Sequence, residues 1–298
     1  MYRVFVTGAT GFVGRAVVQA LRADGHSVRC LVRRGSERDL RGLGAIERVE
    51  GDVLVRQGLE DGMAGCQAVL HLVGIIREQP SRGVTFEQVH TQGTINVIEA
   101  AAAAGVRRFL QMSALGTRPN ARSRYHRTKW AAEEAVRASG LRWTIFRPSI
   151  IYGRGDEFVT MLAYFVGRYP LMPVIGSGRQ RLQPVPVEHV AEGFARGLVT
   201  GDAEKQTYEV GGPDTVTLTE LLDVIGAAVG RRRVHKVHVP LGLMRPLTWL
   251  LHRVPGFPVT PDQLLMLEED NAGNPMPFYS AFGLTPMPLA TGIRRMLE

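Results

Sequence analysis

Lysine is scarce in this chain: of 36 basic residues only Lys129, Lys205 and Lys236 are lysines, and the rest are arginine. A lysine at a meaningful spacing is therefore harder to ascribe to composition. Cysteine is scarcer still. Cys30 and Cys66 have no metal-ligand spacing and sit in strand-like runs, so they read as buried free thiols. His71, His90 and His189 lack partners at ligand spacing, and no metal is expected. Uninterrupted apolar runs are missing as well. The nearest approach to a membrane span, "VPLGLMRPLTWLLHRVPGF", is cut by Arg245, Pro246, His252 and Arg253. The opening "MYRVFVTGATG" has neither a charged leader nor a cleavage site, which reads as a cytoplasmic protein. The net charge of +8 comes from scattered arginines, with Arg231–Arg233 the only triple and no aromatic-interleaved basic patch, so nucleic acid is not an expected partner.

What is present is regular. The 298 residues, 45% of them hydrophobic, can bury one large core or two that share an interface. "YRVFVT" is a β-rich run, Val13, Ala16, Val17, Ala20 and Leu21 repeat at helical spacing, Gly25 stops them, and "HSVRCLV" is the next strand. The alternation continues through "IERVEGD", "AVLHLVG", the helical "FEQVHTQGTINVIEAAAAAG", "RRFLQMS", a helix around Tyr125, and "LRWTIFRP". This pattern predicts an α/β fold, a parallel sheet covered by helices on both faces with right-handed crossovers. From Ile151 onward Gly and Pro become frequent and the alternation fades. We expect a nucleotide-binding domain over 1–150 with a return near 188–211, where "VEHVAEGFARGL" and "QTYEVGG" read as helix and strand, and a smaller domain over 151–187 and 212–298.

The junction of the first strand and helix, "TGATGFVG", holds Gly8, Gly11 and Gly14. One glycine serves a tight turn, one a close approach of backbone to a pyrophosphate, and one close helix–strand packing, with helix N–H groups aimed at the phosphates. The second strand ends "LVRRGS". Arg33 and Arg34 stand where an acid would accept from the ribose 2′-hydroxyl of NAD, and with Ser36 they suit a 2′-phosphate, which favours NADP(H) with NAD(H) as the alternative.

"YHRTK" places Tyr125 and Lys129 one turn apart on a shared helix face. His126 points off that face and reads as a surface residue. To act as a base near neutral pH, Tyr125 must come down from a pKa of about 10. Lys129 within about 5 Å supplies on the order of 3 kcal/mol of this at an effective dielectric of about 20, and an oxidised nicotinamide adds to it. In carbonyl reduction a protonated Tyr125 serves directly as the acid.

These motifs resemble the short-chain dehydrogenase/reductase superfamily in its extended, epimerase/dehydratase-like branch: TGxxGxxG at Gly8–Gly14, "GD" at Gly51 and Asp52, "HLVG" at His71–Gly74, YxxxK at Tyr125 and Lys129, then "FRPSIIYGRGDEF" and "QPVPVEHVAEG". The likeness covers about residues 1–212 and is greatest to the atypical group that includes the nucleotide-binding accessory subunit of respiratory complex I. It implies a doubly wound Rossmann fold with a smaller C-terminal substrate-binding domain. The cofactor would be held by Thr7, Gly8, Thr10, Gly11, Phe12, Val13 and Gly14, by Asp52 and Val53 near the adenine, by Leu72, Val73 and Gly74, and by Lys129 on the nicotinamide ribose. Pro148, Ser149 and Ile150 would lie beside the nicotinamide. The family places a Ser or Thr at the end of the fifth strand; Ser113 is the candidate, with Ala114 the neighbour that would leave the position without a hydroxyl. The family's further catalytic Asn has no counterpart, Asn96 lying too far along its helix. Homodimers through the helices of Tyr125 and of Thr94 to Ala104 are also implied.

Two readings stand at this stage. The first is an oxidoreductase or epimerase acting on the carbonyl or hydroxyl of a small molecule, with Tyr125, Lys129 and Ser113 as its catalytic set. The second is a non-catalytic NADPH-binding protein of assembly or redox sensing, in which Tyr125 and Lys129 only clamp the ribose. "PLGLMRPLTWLLHRV", Pro240 to Val254, reads as a substrate-domain helix interrupted at Pro246, with contact to an anionic membrane surface or docking of a partner helix as the alternatives.

Overall fold

Val4, Phe5 and Val6 are fully buried in the first strand, as a strand covered on both faces requires. The computed structural model describes residues 1–36, 40–251 and 259–298. Its elements run β1 (Arg3–Thr7), α1 (Phe12–Ala23), β2 (Ser27–Val32), β3 (Glu47–Glu50), α2 (Leu59–Met63), β4 (Ala68–His71), a π-helical stretch Glu87–Gln92 leading into α3 (Gly93–Ala103), β5 (Arg108–Met112), α4 (Arg124–Ala138) and β6 (Arg142–Pro148). Then follow β7 (Ile151–Tyr152), α5 (Phe158–Arg168), β8 (Leu171–Ile175), β9 (Arg181–Leu182), β10 (Val185–Pro186), α6 (Val187–Gly197), β11 (Gln206–Val210), β12 (Val216–Thr217), α7 (Leu218–Ala228), β13 (His235–Val239), α8 (Leu241–Leu251), α9 (Pro261–Leu267), α10 (Met276–Phe282) and α11 (Leu289–Leu297).

Seven strands form one sheet in the order β11-β6-β5-β4-β1-β2-β3. The neighbours from β3 across to β6 pair in parallel, with Val4 opposite both Val28 and Ala68 and with Leu110 opposite Thr144. The chain moves outward from β1 to β3, then returns to β4 on the other side of β1. In a doubly wound sheet this reversal opens a crevice at the carboxyl ends of β1 and β4, where ligands bind. The expected α/β fold is present, and the glycine loop and His71–Gly74 flank its switch point.

Two compact units are distinguishable: Met1–Pro148 with Val187–Glu209 and Met276–Leu284, and Ser149–Pro186 with Val210–Pro275 and Thr285–Glu298. The segment Met276–Leu284 groups with the sheet, whereas the sequence reading placed it in the smaller domain. Its aromatics explain the difference: Phe278 and Phe282 pack on Phe146, and Tyr208 joins them. Gly193 of α6 leaves room for the Phe278 ring, which a Cβ there would meet at 2.4 Å. The second unit has its own core, with Tyr152, Leu162, Val174, Leu221, Ile225 and Ile293 at its centre. Within it α8 runs through Pro246 rather than breaking there. A proline gives up one backbone bond, and the amides of Leu243 and Met244 donate to the Pro240 carbonyl at the helix start. Residues 252–254 of that predicted stretch lie outside the described residues. Cys30 and Cys66 are free and buried, and burial pushes the Cys30 thiol up to about 12.

Candidate active site

Gly8 ends β1 in the left-handed region, at φ +78°, and a Cβ there would lie 2.9 Å from the Leu72 carbonyl carbon. At Gly14 a Cβ would stand 2.1 Å from the Gly8 oxygen, so any side chain would force the loop off the helix. Gly11 is the N-cap of α1, its amide donating to Gly8 O at 3.1 Å. No side chain caps α1 and its first turn holds no acid. The first N–H groups of this helix thus face outward together with exposed Gly11 and half-buried Thr10, Phe12 and Val13. A tight backbone cradle with uncapped N–H donors and the positive end of a helix dipole fits a pyrophosphate.

Farther along the crevice, Arg33 and Arg34 are exposed after β2 in a turn closed by Ser36 N–H on Arg33 O at 3.0 Å. Asp52 accepts from the Leu54 amide at 3.0 Å. The Asn96 amide donates to the Val53 carbonyl at 2.8 Å. Asn96, on α3, therefore braces the loop that follows β3.

Ser123 caps α4 by accepting from the His126 amide, and it also bonds the His126 ring at 2.9 Å. His126 is buried, not on the surface: its ring closes on Gly116 and lies edge-on to Tyr125. Lys129 is 2% exposed, and its ammonium donates to the carbonyls of Met112 at 3.2 Å and Val73 at 3.4 Å, at the ends of β5 and β4. Gly74 makes room for it, since a Cβ there would lie 3.0 Å from Nζ. Burial lowers Lys129 to about 8, against the pull of Glu133 one turn on.

Glu133 is fully buried and accepts from Arg147 at 2.6 and 2.8 Å, from Arg137 at 2.7 Å and from Ser113 Oγ at 2.6 Å. The Ser113 proton is thereby committed to Glu133, and the next residue, Ala114, has no hydroxyl. Tyr125 packs edge-on against His90 and Phe86, with ring centroids 5.1 and 5.8 Å away. Burial pushes its hydroxyl up to about 12, opposite to the lowering a base requires. The cause is the loss of water around the hydroxyl as the ring packs against His90 and Phe86.

Two histidines complete the site, and their hydrogen bonds run in one direction. His71 Nδ1 lies 2.6 Å from Thr7 Oγ1, its Nε2 lies 3.1 Å from Thr94 Oγ1, and Thr94 donates to the His90 carbonyl at 2.6 Å. Thr94 having spent its proton, His71 must donate from Nε2 and accept from Thr7. His90 Nε2 lies 3.1 Å from both the amide and the carbonyl of Ile75; with the Thr128 hydroxyl donating to backbone, His90 Nδ1 donates to Thr128 Oγ1 at 3.0 Å and Nε2 accepts from the Ile75 amide. Thr128 in turn donates to the carbonyls of Arg124 and Tyr125. Burial, with Lys129 nearby, lowers His71 to about 3 and His90 to about 2, so both are neutral. His90 was not among the expected site residues. Its signal was the inward stripe His90, Thr94, Val97 and Ala101, all buried, in a π-helical turn of a kind that often marks functional sites. Pro148 closes β6, and its carbonyl accepts from Leu115 N–H at 2.8 Å. Ser149 and Ile150 belong to the second unit, where Ser149 Oγ bonds Asn271 and Ile150 packs on the local core. Among the described residues no group of three or more His, Cys, Asp or Glu could hold a metal.

A dinucleotide cradle at the switch point of a parallel sheet, with a Tyr–Lys pair on the helix after β5, defines a nucleotide-binding protein of the short-chain dehydrogenase/reductase type. Comparison with known proteins bears this out: residues 8–160 match the NAD(P)H-binding family and residues 116–242 the RmlD substrate binding domain. The chain belongs to the NAD(P)H-binding family, within the extended branch of the short-chain dehydrogenases/reductases. It is 33% identical over 278 residues to the NADH dehydrogenase (ubiquinone) 1 alpha subcomplex subunit 9 of Arabidopsis thaliana, covering 90% of this chain and 68% of that protein. To the ceramide reductase of Caulobacter vibrioides it is 38% identical over 226 residues, covering 74% and 68%. Among solved structures, the UDP-glucose 4-epimerase of Thermus thermophilus in complex with NAD superposes with a TM-score of 0.74 at 21% identity, covering 99% of this chain and 97% of that one, which shows the shared fold. No described helix is long and apolar enough to cross a membrane.

Proposed function

We propose that the chain is an NADPH-dependent reductase of a carbonyl group, with Tyr125 as the acid. The observation that carries this reading is the placement of the α4 pair: Lys129, one turn from Tyr125, reaches the Val73 carbonyl of the loop that flanks the glycine cradle, and the Tyr125 hydroxyl beside it stays protonated. An epimerase begins by oxidising an alcohol and needs this residue as a base; a reductase needs only its proton. When bound, the reduced nicotinamide supplies a hydride to the carbonyl carbon. The Tyr125 hydroxyl gives its proton to the carbonyl oxygen, and the tyrosinate recovers one from solvent. Lys129, charged below about pH 8, stabilises that transient anion and bonds the nicotinamide ribose. Thr7 to Gly14, Asp52 to Val53 and Leu72 to Gly74 hold the cofactor, and Arg33 and Arg34, with Ser36, give NADP its advantage over NAD. The ceramide reductase at 38% identity makes lipid carbonyls the first substrates to screen. In such a screen Tyr125→Phe should lower kcat by about 10²–10⁴-fold and leave the NADPH Kd within about twofold; unchanged turnover in the variant would sink the proposal.

A second reading is favoured by one specific feature: Ser113 is spent on Glu133 and Ala114 offers no hydroxyl to a substrate. A protein that holds NADPH without turnover fits this, and the similarity to a complex I subunit supports it. The dissociation rate of NADPH decides. Release slower than the roughly 1 to 10³ per second of ordinary turnover would favour the second reading, and release on that scale the first.

A further inference from the structure

Helix α8 is apolar on two faces. Leu241, Met244, Thr248 and Leu251 turn inward, half-buried or buried, whereas Leu243, Leu247 and Leu250 are 61%, 38% and 68% exposed and Trp249 is 73% exposed. Leu243, Leu247 and Leu250 follow i, i+4, i+7 spacing, one continuous apolar stripe. Monomeric soluble proteins seldom leave such a stripe in water.

The charge around it identifies its occupant. Between Asp223 and Asp262 the sequence has no acidic residue, yet it carries Arg231, Arg232, Arg233, Lys236 and Arg245. Lys236 pairs back to Asp223 and Arg245 to Glu268 on α9, while Arg232 and Arg233 are exposed. These arginines stand just before β13, whose five residues lead into α8 and whose Val237 is 48% exposed. Cations, a short strand with an outward apolar residue, and then an apolar helix with a tryptophan form the pattern of a surface that lies in a headgroup layer. A protein partner would meet the leucines equally well, but an acid-free stretch of this length selects an anionic one.

We propose that α8 and the arginines before β13 seat the protein on an anionic lipid bilayer, with Leu243, Leu247 and Leu250 entering the headgroup–acyl boundary and Arg232 and Arg233 contacting lipid phosphates. The contact is peripheral, since α8 has 11 residues, about half of what a span requires. It holds whether or not the site in the first unit turns over.

The test is co-sedimentation of the full chain with vesicles of phosphatidylcholine alone and of phosphatidylcholine mixed with phosphatidylglycerol. Binding should favour the mixed vesicles, weaken with salt as exposed charges are screened, and shift tryptophan emission to the blue. Leu250→Glu should lower the partition coefficient by roughly tenfold or more, because each lost leucine insertion is worth about 1.5 kcal/mol or more. Arg232→Glu with Arg233→Glu should abolish the preference for anionic vesicles. NADPH affinity and melting temperature, unchanged in these surface variants, show that they fold. Equal binding by wild type and Leu250→Glu, or no binding to mixed vesicles at low salt, would overturn the proposal. So would a dimer in sedimentation velocity that Leu250→Glu dissociates, which would make a second copy the occupant.

Discussion

Acidification should destabilise this protein at a pH where carboxylates are still ionised, and the two buried histidines set the size of the effect. In the folded chain His71 and His90 are neutral down to about 3 and about 2, whereas in the unfolded chain a histidine takes up its proton near 6.5. Below 6.5 the unfolded state therefore binds more protons, and stability falls as pH falls through the window that ends at those folded values. At pH 5 each histidine costs about 2 kcal/mol, from roughly 1.5 pH units at 1.36 kcal/mol each, and the pair about 4 kcal/mol. That is a large share of the roughly 5–15 kcal/mol that separates folded from unfolded domains. Burial also lowers His26 and His189, so the effect of the pair is read from variants. Urea unfolding of the wild type, His71→Asn, His90→Asn and the double variant between pH 7 and 5 is the assay. Each single variant should lose about a quarter to a half of the wild-type dependence on pH, and the double variant should be nearly flat apart from those other histidines. A double variant as acid-sensitive as the wild type would refute the assignment of two neutral buried histidines.

Other predictions concern single side chains. Gly14→Ala, whose Cβ would press on the Gly8 oxygen, should lower NADPH affinity by at least about tenfold, the loss expected if the loop can no longer approach the pyrophosphate, as titration calorimetry would show. Ser113→Ala removes a donor from a buried carboxylate and should cost about 1–3 kcal/mol of stability. Its turnover per folded molecule should be unchanged, and a loss of kcat comparable with that of Tyr125→Phe would return Ser113 to the catalytic set. Lys129→Met should weaken NADPH binding while raising stability by roughly 2–3 kcal/mol at pH 7, because burial lowers the lysine from 10.5 to about 8 and the charged form is the costly one. By the same linkage, wild-type stability should rise between about pH 8 and 10.5 as the buried ammonium is neutralised, and the Lys129→Met variant should lack that rise.

The nucleotide cradle was legible because each of its requirements is local. A tight turn, a close approach and a helix start are all demands on neighbouring residues, and Gly8, Gly11 and Gly14 state them in seven positions. The sheet was legible for the same reason, since "YRVFVT" and "AVLHLVG" show buried strands by their own composition. What could not be read depends on atoms distant in sequence. Ser113 looked like a substrate donor until Glu133, twenty residues on, was seen to take its proton. The raised pKa of Tyr125 comes from its burial against Phe86 and His90, on a different helical segment, and the resting place of the Lys129 ammonium is fixed by the carbonyls of Val73 and Met112. His126 lies off the Tyr125–Lys129 face, yet Gly116 and Ser123 enclose it. The return of Met276–Leu284 to the sheet unit rests on aromatic contacts across more than a hundred residues, which no local pattern announces.

The threonines and histidines beneath the site have a consequence beyond packing. From Thr7 through His71 and Thr94 to the His90 carbonyl, and from the His90 ring through Thr128 to the α4 backbone, every proton points the same way. Each of these two short files has its own polarity, and reversing one member sets two donors or two lone pairs face to face. The first ends on the His90 carbonyl and the second starts at the His90 ring, so each reorients by itself. One ties the end of β1 to the π-helical turn and the other ties that turn to α4, which fixes how far either can shift without losing a buried bond.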